Sequence, residues 1–346
     1  MAILRFPGFI DIHVHFREPG ATQKEDFASG SRAAVKGGFT FVIDMPNNPS
    51  APTVSIDRLE EKIALSSQKA VCDVGFHYGT DGRNLDTFPA AWQNRHVFGL
   101  KIYASHTTGG LLIEKEKVLE QVFRAWESEK PILVHGQGET LSTCIGLAQT
   151  YGRRLHVCHV ATQNDIDHVR KAKQKNQAVT AGVTPHHLFL TEADIQKLGN
   201  FAAVKPAIAG TADRQALWDG LADHTIDLVE SDHAPHTKRE KESATPPFGV
   251  PGLETTLGLL WKAVKEKKLP HGDIATLLYE NPKRIFSIPD QANTYIELDT
   301  EKPYIVGQDG YETKCGWSPF DGWELYGKAE KVVLRGKTLV QDGQLV

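Results

Sequence analysis

The chain has 346 residues, of which 40% are hydrophobic and 24% charged, and its formal net charge is -4. This composition excludes a disordered or fibrous protein, and so mild a charge gives no reason to expect nucleic acid or an anionic membrane as a partner. No apolar run approaches the roughly 20 residues of a membrane-spanning helix. The start of the chain, broken by Pro7 and Gly8, does not have the pattern of a secretion signal. We expect a cytoplasmic, reduced protein, because its cysteines lack pairing spacing; they are Cys72, Cys144, Cys158 and Cys315.

Eight short, apolar, β-rich segments recur along the chain, each followed by a polar loop. Helical patterns lie between them, most clearly at 25–37, 115–129, 164–175 and 253–267. Apolar strands that alternate with helices are typical of parallel strands covered on their outer face. Eight such units predict an α/β protein with a TIM barrel, whose active site lies at the carboxyl ends of the strands. The predicted strands are 9–14, 40–45, 71–78, 97–103, 131–135, 154–160, 178–183 and 225–231.

The last part of the chain has a different pattern. From about Thr294 onward, short strands alternate with turn signals and no helix is indicated. We therefore predict a barrel over residues 1–290 and a small β appendage over residues 291–346, packed beside the barrel. The Pro- and Gly-rich segment 238–252 is predicted to be a long loop of the barrel, and loops of this length in compact domains are usually functional or disordered.

Polar side chains stand near the carboxyl ends of five predicted strands. Alternate residues of a strand face the same side, so the two histidines of the first strand can both point into the barrel. A single histidine in such a place is more often structural, but six candidates at matching strand ends form a ligand set suited to zinc or a similar divalent ion. The six are His13, His15, Lys101, His135, His159 and Asp232.

Lys101 is the unusual member of this set, because a protonated lysine is repelled by a dication. Burial and nearby positive charge favour the neutral amine, which can react with CO2 to give a carbamate that bridges two metals. The alternative is a lysine paired with a carboxylate. A two-metal site would hold a bridging hydroxide and polarise a carbonyl, while Asp232 would move a proton to a leaving nitrogen. The chemistry indicated is hydrolysis or formation of an amide-like bond.

Several motifs carry a family resemblance. They run in order from residue 7 to about 290: PGFIDIHVHFREPG, KEDFASG, DMPN, GLKIY, HVCHVA, TPHHLFL, SDHAPHT and PGLET. Together they resemble the dihydroorotases of the amidohydrolase superfamily, most closely the dihydroorotase domain of the animal multifunctional pyrimidine-synthesis protein. The resemblance implies a TIM-barrel metalloenzyme that interconverts N-carbamoyl-L-aspartate and L-dihydroorotate with two zinc ions. It assigns one metal to His13, His15 and Asp232, the second to His135 and His159, a bridging carbamate to Lys101, and the role of general acid/base to Asp232.

The resemblance also implies residues that bind the substrate. Arginine suits a carboxylate because its fork binds both oxygens. The alternative roles are a surface salt bridge for Arg17, a turn residue for Asn47, a structural role for His236, and simple turn chemistry for Gly249. The threonine lies in loop 104–110, where the family has a mobile lid that Gly109 and Gly110 would help to move. The implied substrate-binding residues are Arg17, Asn47, Thr107, His236 and Gly249.

This chain departs from the family pattern at several positions. Gly182 stands where the animal domain has a glutamate that binds a third metal with a cysteine, so we interpret Cys158 as a small buried hydrophobe. Lysine in place of an arginine keeps the charge and loses the fork. These changes bear on affinity more than on reaction type. The other departures are Gly136-Gln137 for an Ala-Glu pair, Lys205 for a substrate-contacting arginine, and Thr108 for an aromatic lid residue.

Two other functions remain open. One is a related cyclic amidase such as a dihydropyrimidinase or hydantoinase, whose ring substrates lack the carboxylate that Arg17 and Asn47 are expected to bind. The other is a non-catalytic dihydroorotase-like domain with a structural role in an assembly, although such domains tend to lose the ligands that are present here. For partners, the resemblance suggests a homodimer and association or fusion with other enzymes of pyrimidine synthesis.

Overall fold

The computed structural model of the chain describes residues 3–107 and 109–346, and its centre is an eight-stranded parallel sheet. Each strand pairs with the next in chain order, so the sheet curls into a nearly closed barrel, and the predicted α/β TIM-barrel fold is confirmed. A first strand, β1 (Ile3–Phe6), precedes it. The barrel strands are β2 (Phe9–Val14), β3 (Phe39–Asp44), β4 (Asp73–Gly79), β5 (Val97–Tyr103), β6 (Ile132–His135), β7 (Leu155–Val157), β8 (Val179–Val183) and β9 (Leu228–Val229).

Helices form the outer layer. The four predicted from the sequence correspond to α1, α4, α6 and α11. Local chemistry explains the start of α1, where the Asp26 side chain and Ser29 form a reciprocal capping box. The helices are α1 (Phe27–Lys36), α2 (Ile56–Lys69), α3 (Phe88–Gln93), α4 (Glu116–Ala125), α5 (Gly138–Tyr151), α6 (Gln163–Gln174), α7 (Pro185–Phe189), α8 (Glu192–Leu198), α9 (Thr211–Ala222), α10 (Lys238–Lys241), α11 (Leu253–Lys265), α12 (Asp273–Ala275) and α13 (Asn281–Phe286), with 3-10 turns at Leu85–Thr87 and Gly199–Ala202 and a π turn at Thr276–Glu280.

Apolar side chains fill the amino-terminal half of the barrel interior. Phe41, Phe98 and Leu133 come from the first halves of β3, β5 and β6, and they share a buried cluster with Ile285 and Phe286 of α13. Because this end is packed, the polar groups of the interior are left to the carboxyl ends of the strands. Within the described parts of the chain, no helix has the length and apolar character needed to cross a bilayer.

The barrel closes at the junction of β2 and β9, which we call the seam. No continuous ladder joins these two strands. Instead, the backbone N–H of His15 donates to the His233 carbonyl at 2.8 Å, and the Asp11 carboxylate accepts from the backbone N–H of Ser231 at 3.2 Å and of His13 at 3.0 Å. At this junction the Asp11 side chain therefore accepts backbone N–H groups that backbone carbonyls accept elsewhere in the barrel.

The C-terminal residues form the predicted β appendage, with one strand that the sequence did not indicate. β1 pairs antiparallel with β10, matching Ile3 with Asp299, so the N-terminus supplies an edge of this sheet. Its order is β1-β10-β13-β14-β15, while β11 and β12 pair separately. The boundary between residues 290 and 291 stays a prediction. The strands are β10 (Tyr295–Asp299), β11 (Tyr304–Ile305), β12 (Glu324–Leu325), β13 (Lys328–Leu334), β14 (Lys337–Gln341) and β15 (Gln344–Leu345).

A buried ion pair fixes the loops above β2 and β3. Lys62 of α2 lies 2.6 Å from Asp44 Oδ2, and both side chains are fully buried. The Lys62 ammonium also donates to the Met45 carbonyl and to Asn48 Oδ1, each at 2.7 Å. Asp44 Oδ1 accepts from the backbone N–H of Phe16 at 2.8 Å. One lysine therefore holds the two loops that carry the candidate substrate residues.

We expect the Lys62→Met substitution to lower the free energy of unfolding by about 3–5 kcal/mol, because it leaves the Asp44 carboxylate buried without its charge partner. Urea unfolding followed by tryptophan fluorescence measures the loss. Arg58→Met is the matched control on the same helix, since Arg58 forms an exposed ion pair with Glu61, and its loss is expected to stay below about 1 kcal/mol. Equal losses in the two variants would contradict the prediction.

Candidate metal centre

The six predicted ligand residues converge at the carboxyl end of the barrel. Asp232 Oδ1 lies 3.0 Å from His15 Nε2 and 3.4 Å from His13 Nε2. Across the site, His135 Nδ1 lies 3.0 Å from His159 Nε2, and the ring centroids of His13 and His159 are 5.1 Å apart. The four imidazoles and the carboxylate therefore lie close together at one end of the barrel.

Three residues of this region have a left-handed backbone. The φ angles are 37° at His159, 44° at Asp232 and 61° at Arg17. Non-glycine residues adopt this conformation rarely, at a cost of about 1–3 kcal/mol, and such residues cluster at functional sites. Each follows a barrel strand directly or within a few residues, so the backbone turns sharply where the side chain must face the barrel mouth.

The site keeps its imidazoles neutral. Burial is the main cause that lowers the pKa of His13 and brings the pKa of His15, His135 and His159 well below the usual value. Neutral imidazole is the form that binds a metal. Burial also raises the pKa of the Asp232 carboxyl, an effect that the neighbouring His13 opposes.

These residues fit a divalent cation. Ligand atoms of His13, His159 and Asp232 all lie within 4.8 Å of one another. Tetrahedral coordination at bond lengths of roughly 2.0–2.1 Å places neighbouring ligand atoms about 3.3 Å apart, close to the 3.4 Å between His13 Nε2 and Asp232 Oδ1. Within the described part of the chain, His135 Nε2 and His159 Nδ1 are buried without a hydrogen-bond partner. Unpaired buried nitrogens are costly, and ligation would relieve that cost.

Lys101 lies fully buried on β5 beneath the histidines. Its ammonium donates to Cys158 Sγ at 3.0 Å and lies 5.2 Å from the centre of the Tyr103 ring. Among residues 3–107 and 109–346, no carboxylate oxygen lies within 4.0 Å of it. The structure therefore gives no support to the alternative in which Lys101 is neutralised by an acidic partner.

Four of the five predicted substrate residues line the same cleft as the ligands, namely Arg17, Asn47, Thr107 and Gly249. His236 lies outside the lining and behind Arg17, with its Nε2 3.3 Å from Arg17 Nη2 and 2.9 Å from the Phe248 carbonyl oxygen. The Lys24 ammonium donates to His236 Nδ1 at 3.2 Å, so Nε2 carries the proton given to Phe248, and His236 packs beside the arginine without accepting from it. Thr108 lies outside the described residues.

Two of the lining residues have structural constraints of their own. Asn47 Oδ1 accepts a hydrogen bond from His15 Nδ1 at 2.9 Å, which leaves His15 Nε2 to face Asp232. Gly249 has a φ of 135°, and a Cβ there would lie 2.5 Å from the Ala234 carbonyl oxygen. The predicted turn chemistry at Gly249 and its place in the cleft are therefore compatible, because the backbone can approach so closely only without a side chain.

The sequence analysis missed two side chains of this region. Glu230 is fully buried next to β9 and accepts from His13 Nδ1 at 3.0 Å. The signal was present as a glutamate within the apolar run TIDLVES. Tyr103 lines the cleft, and its buried hydroxyl has no hydrogen-bond partner among the described residues. The sequence does not single out Tyr103 in the same way, because a tyrosine at the end of an apolar strand is not unusual.

Comparison with known proteins gives the family. The Amidohydrolase family profile matches residues 4–292. The chain belongs to the amidohydrolase family. It is 42% identical to the multifunctional protein CAD of Squalus acanthias over 99% of its own length, and it spans 15% of the length of that protein. It is 32% identical to the dihydroorotase of Methanosarcina mazei, an alignment that covers 92% of this chain and 80% of that protein. The predicted resemblance is confirmed.

Solved structures show the same fold. The L-hydantoinase of Arthrobacter aurescens superposes on this amidohydrolase with a TM-score of 0.92 at 22% identity, covering 99% of this chain and 86% of the other. An inactive dihydroorotase-like domain of a CAD-like multifunctional protein from Chaetomium thermophilum gives a TM-score of 0.84 at 26% identity and covers 100% and 97% of the two chains. The shared fold therefore includes both cyclic amidases and a domain without activity.

We expect chelation to lower the melting temperature of this amidohydrolase by about 4 °C, because a metal that binds only the folded chain at 100 times its Kd contributes roughly 2.7 kcal/mol. Scanning fluorimetry with and without EDTA measures the shift, and added zinc should restore it. The double variant His135→Ala/His159→Ala should show a smaller shift, and the exposed control His271→Ala an unchanged one. Identical melting with and without metal would refute the prediction.

Proposed function

We propose that this chain is a dihydroorotase, which interconverts N-carbamoyl-L-aspartate and L-dihydroorotate in de novo pyrimidine biosynthesis. The observation that carries the proposal is the meeting of five candidate ligands (His13, His15, His135, His159 and Asp232) with a buried arginine in one cleft. A substrate that has a carboxylate next to a cyclic amide needs metal ligands near the amide and a positive side chain near the carboxylate. The alignment with the Methanosarcina mazei dihydroorotase over most of both chains supports the same reaction.

Two zinc ions would complete this site. We assign one to His13, His15 and Asp232, the other to His135 and His159, and a carboxylated Lys101 between them. When bound, such ions lower the pKa of water and polarise a carbonyl oxygen. The carbamate is supported by the place of Lys101, which is fully buried on β5 with no carboxylate oxygen of the described residues within 4.0 Å.

The remaining steps fall to side chains of this chain. Arg17 binds the substrate carboxylate, and it is held for that task by its Nε hydrogen bond to the Pro235 carbonyl at 3.3 Å. Lys205 lines the same cleft over the Phe248 ring and adds positive charge. Asp232 Oδ1 faces the two imidazoles of β2, so we assign to Oδ2 the transfer of a proton between the attacking water and the ring nitrogen.

Two positive side chains in the cleft favour this substrate over a hydantoin or dihydropyrimidine. Those rings lack a carboxylate, and a buried Arg17 would face them without a partner. The likeness to L-hydantoinase concerns the fold alone. Against a purely structural domain stands the complete ligand set, since each of the six residues is buried at the barrel mouth.

For its setting, we propose a cytoplasmic homodimer. We also propose an association with other enzymes of pyrimidine synthesis, because the chain aligns over 99% of its length with part of a multifunctional protein. The absence of a long apolar helix among the described residues is compatible with this setting.

The zinc-loaded protein is expected to open the ring of L-dihydroorotate, which is followed by loss of its ultraviolet absorbance. Asp232→Asn should lower kcat by about 10²–10⁴-fold with unchanged circular dichroism, because the amide cannot carry the proton. Hydantoin and dihydrouracil serve as substrates without the carboxylate and should not be opened. A folded protein that demonstrably holds zinc but does not act on dihydroorotate would overturn the proposal and favour a domain without activity.

Lys101→Ala is expected to lose bound metal together with activity, because the bridging ligand is removed. Metal content per chain, measured by atomic emission after desalting, tests this directly. Lys205→Ala is the matched control: it should keep its metal and raise KM, since Lys205 is assigned to substrate binding alone. Full metal content in Lys101→Ala would refute the bridging carbamate.

A further inference from the structure

The seam carries a carboxylate that none of the assignments above uses. Glu230 follows β9 directly, and its backbone N–H continues the ladder by donating to the Val183 carbonyl of β8 at 3.0 Å. Its side chain is fully buried and points into the barrel. Oε2 accepts from His13 Nδ1 at 3.0 Å, while Oε1 accepts from the backbone N–H of His159. One carboxylate therefore contacts two candidate ligands from different strands.

A glycine on the neighbouring strand makes room for this carboxylate. A Cβ on Gly182 would lie 2.7 Å from Glu230 Oε1 and 2.8 Å from its Cδ, so any side chain there would displace the glutamate. Gly182 has no left-handed φ, and glycine inside a strand weakens it. The reason for glycine at this position is thus the space that it leaves beside β8 for Glu230.

The two contacts act on the ligands in different ways. At His13, the hydrogen bond to Glu230 engages Nδ1 and leaves Nε2 directed at Asp232 Oδ1, 3.4 Å away. A carboxylate behind a histidine ligand fixes its tautomer and raises its basicity. At His159, the contact holds the backbone N–H of a residue whose φ is 37°, so it stabilises a strained conformation that directs the ring into the site.

We infer that Glu230 is a positioning residue that holds one ligand from each half of the two-metal site, and that Gly182 exists to accommodate it. The inference rests on the metal site of the proposed function but not on its substrate.

A third metal on His13, Cys158 and Glu230, whose ligand atoms lie within 4.8 Å of one another, is the competing interpretation. The existing contacts argue against it. His13 Nδ1 is engaged by Glu230 Oε2, and Glu230 Oε1 accepts from the backbone N–H of His159.

The test is the zinc affinity of the intact protein, measured by competition with a chromogenic chelator. Glu230→Gln is expected to raise the Kd for zinc by about 10–100-fold, because two N–H donors converge on this side chain and a carboxamide has only one oxygen. Glu254→Gln is the matched control, since Glu254 is a partly buried carboxylate that also accepts from two N–H groups, those of the Glu312 and Thr313 backbone. It should change unfolding of the metal-free protein without changing the Kd.

A second variant separates positioning from folding. In Gly182→Glu/Glu230→Ala the carboxylate enters the same space from β8, and it should recover at least part of the zinc affinity that Glu230→Ala loses. A Kd for Glu230→Gln within about twofold of the unmodified protein would overturn the inference. So would a third zinc equivalent per chain that disappears in Glu230→Gln. Neither readout depends on dihydroorotate, so failure of the proposed substrate would remain distinguishable.

Discussion

Desolvation of the ligand cluster is the constraint on which this structure depends. Four imidazoles, a lysine and the Asp232 carboxylate are all buried at one end of the barrel. Groups removed from water in this way are unfavourable unless they are paired or bound to a metal. Burial holds the imidazoles neutral, and two of their nitrogens lack partners among the described residues. The site is thus prepared for cations that would compensate for the water it excludes.

Barrel closure and ligand placement involve the same residues. β2 and β9 meet without a continuous ladder, and the Asp11 carboxylate accepts the backbone N–H groups of His13 and Ser231 at this junction. The same two strands carry His13, His15 and Asp232 on or directly beyond their ends. Disturbing the seam would therefore disturb the ligands, which links the stability of the barrel to the geometry of its mouth.

The contacts in the structure describe two of the departures from the family pattern, Gly182 and Lys205. Gly182 has no side chain, and the Glu230 carboxylate fills the space beside it. This carboxylate comes from the end of the neighbouring strand, β9. Lys205 remains in the cleft above an aromatic ring, where a single positive charge is retained without a fork. Since one relative of the same fold is an inactive domain, the intact ligands, more than the fold, carry the case for activity.

The sequence by itself determined the barrel and indicated six candidate ligand positions, because both follow from local patterns. Apolar runs gave the strands, and the residues at their ends share one edge of any parallel barrel. Only the tertiary structure decided which distant groups meet. The pairing of β1 with β10, the place of His236 behind Arg17, and the Glu230 contacts all join residues more than 70 positions apart. The periodicity of hydrophobic residues along the chain does not indicate such contacts, because they depend on how the closed barrel packs.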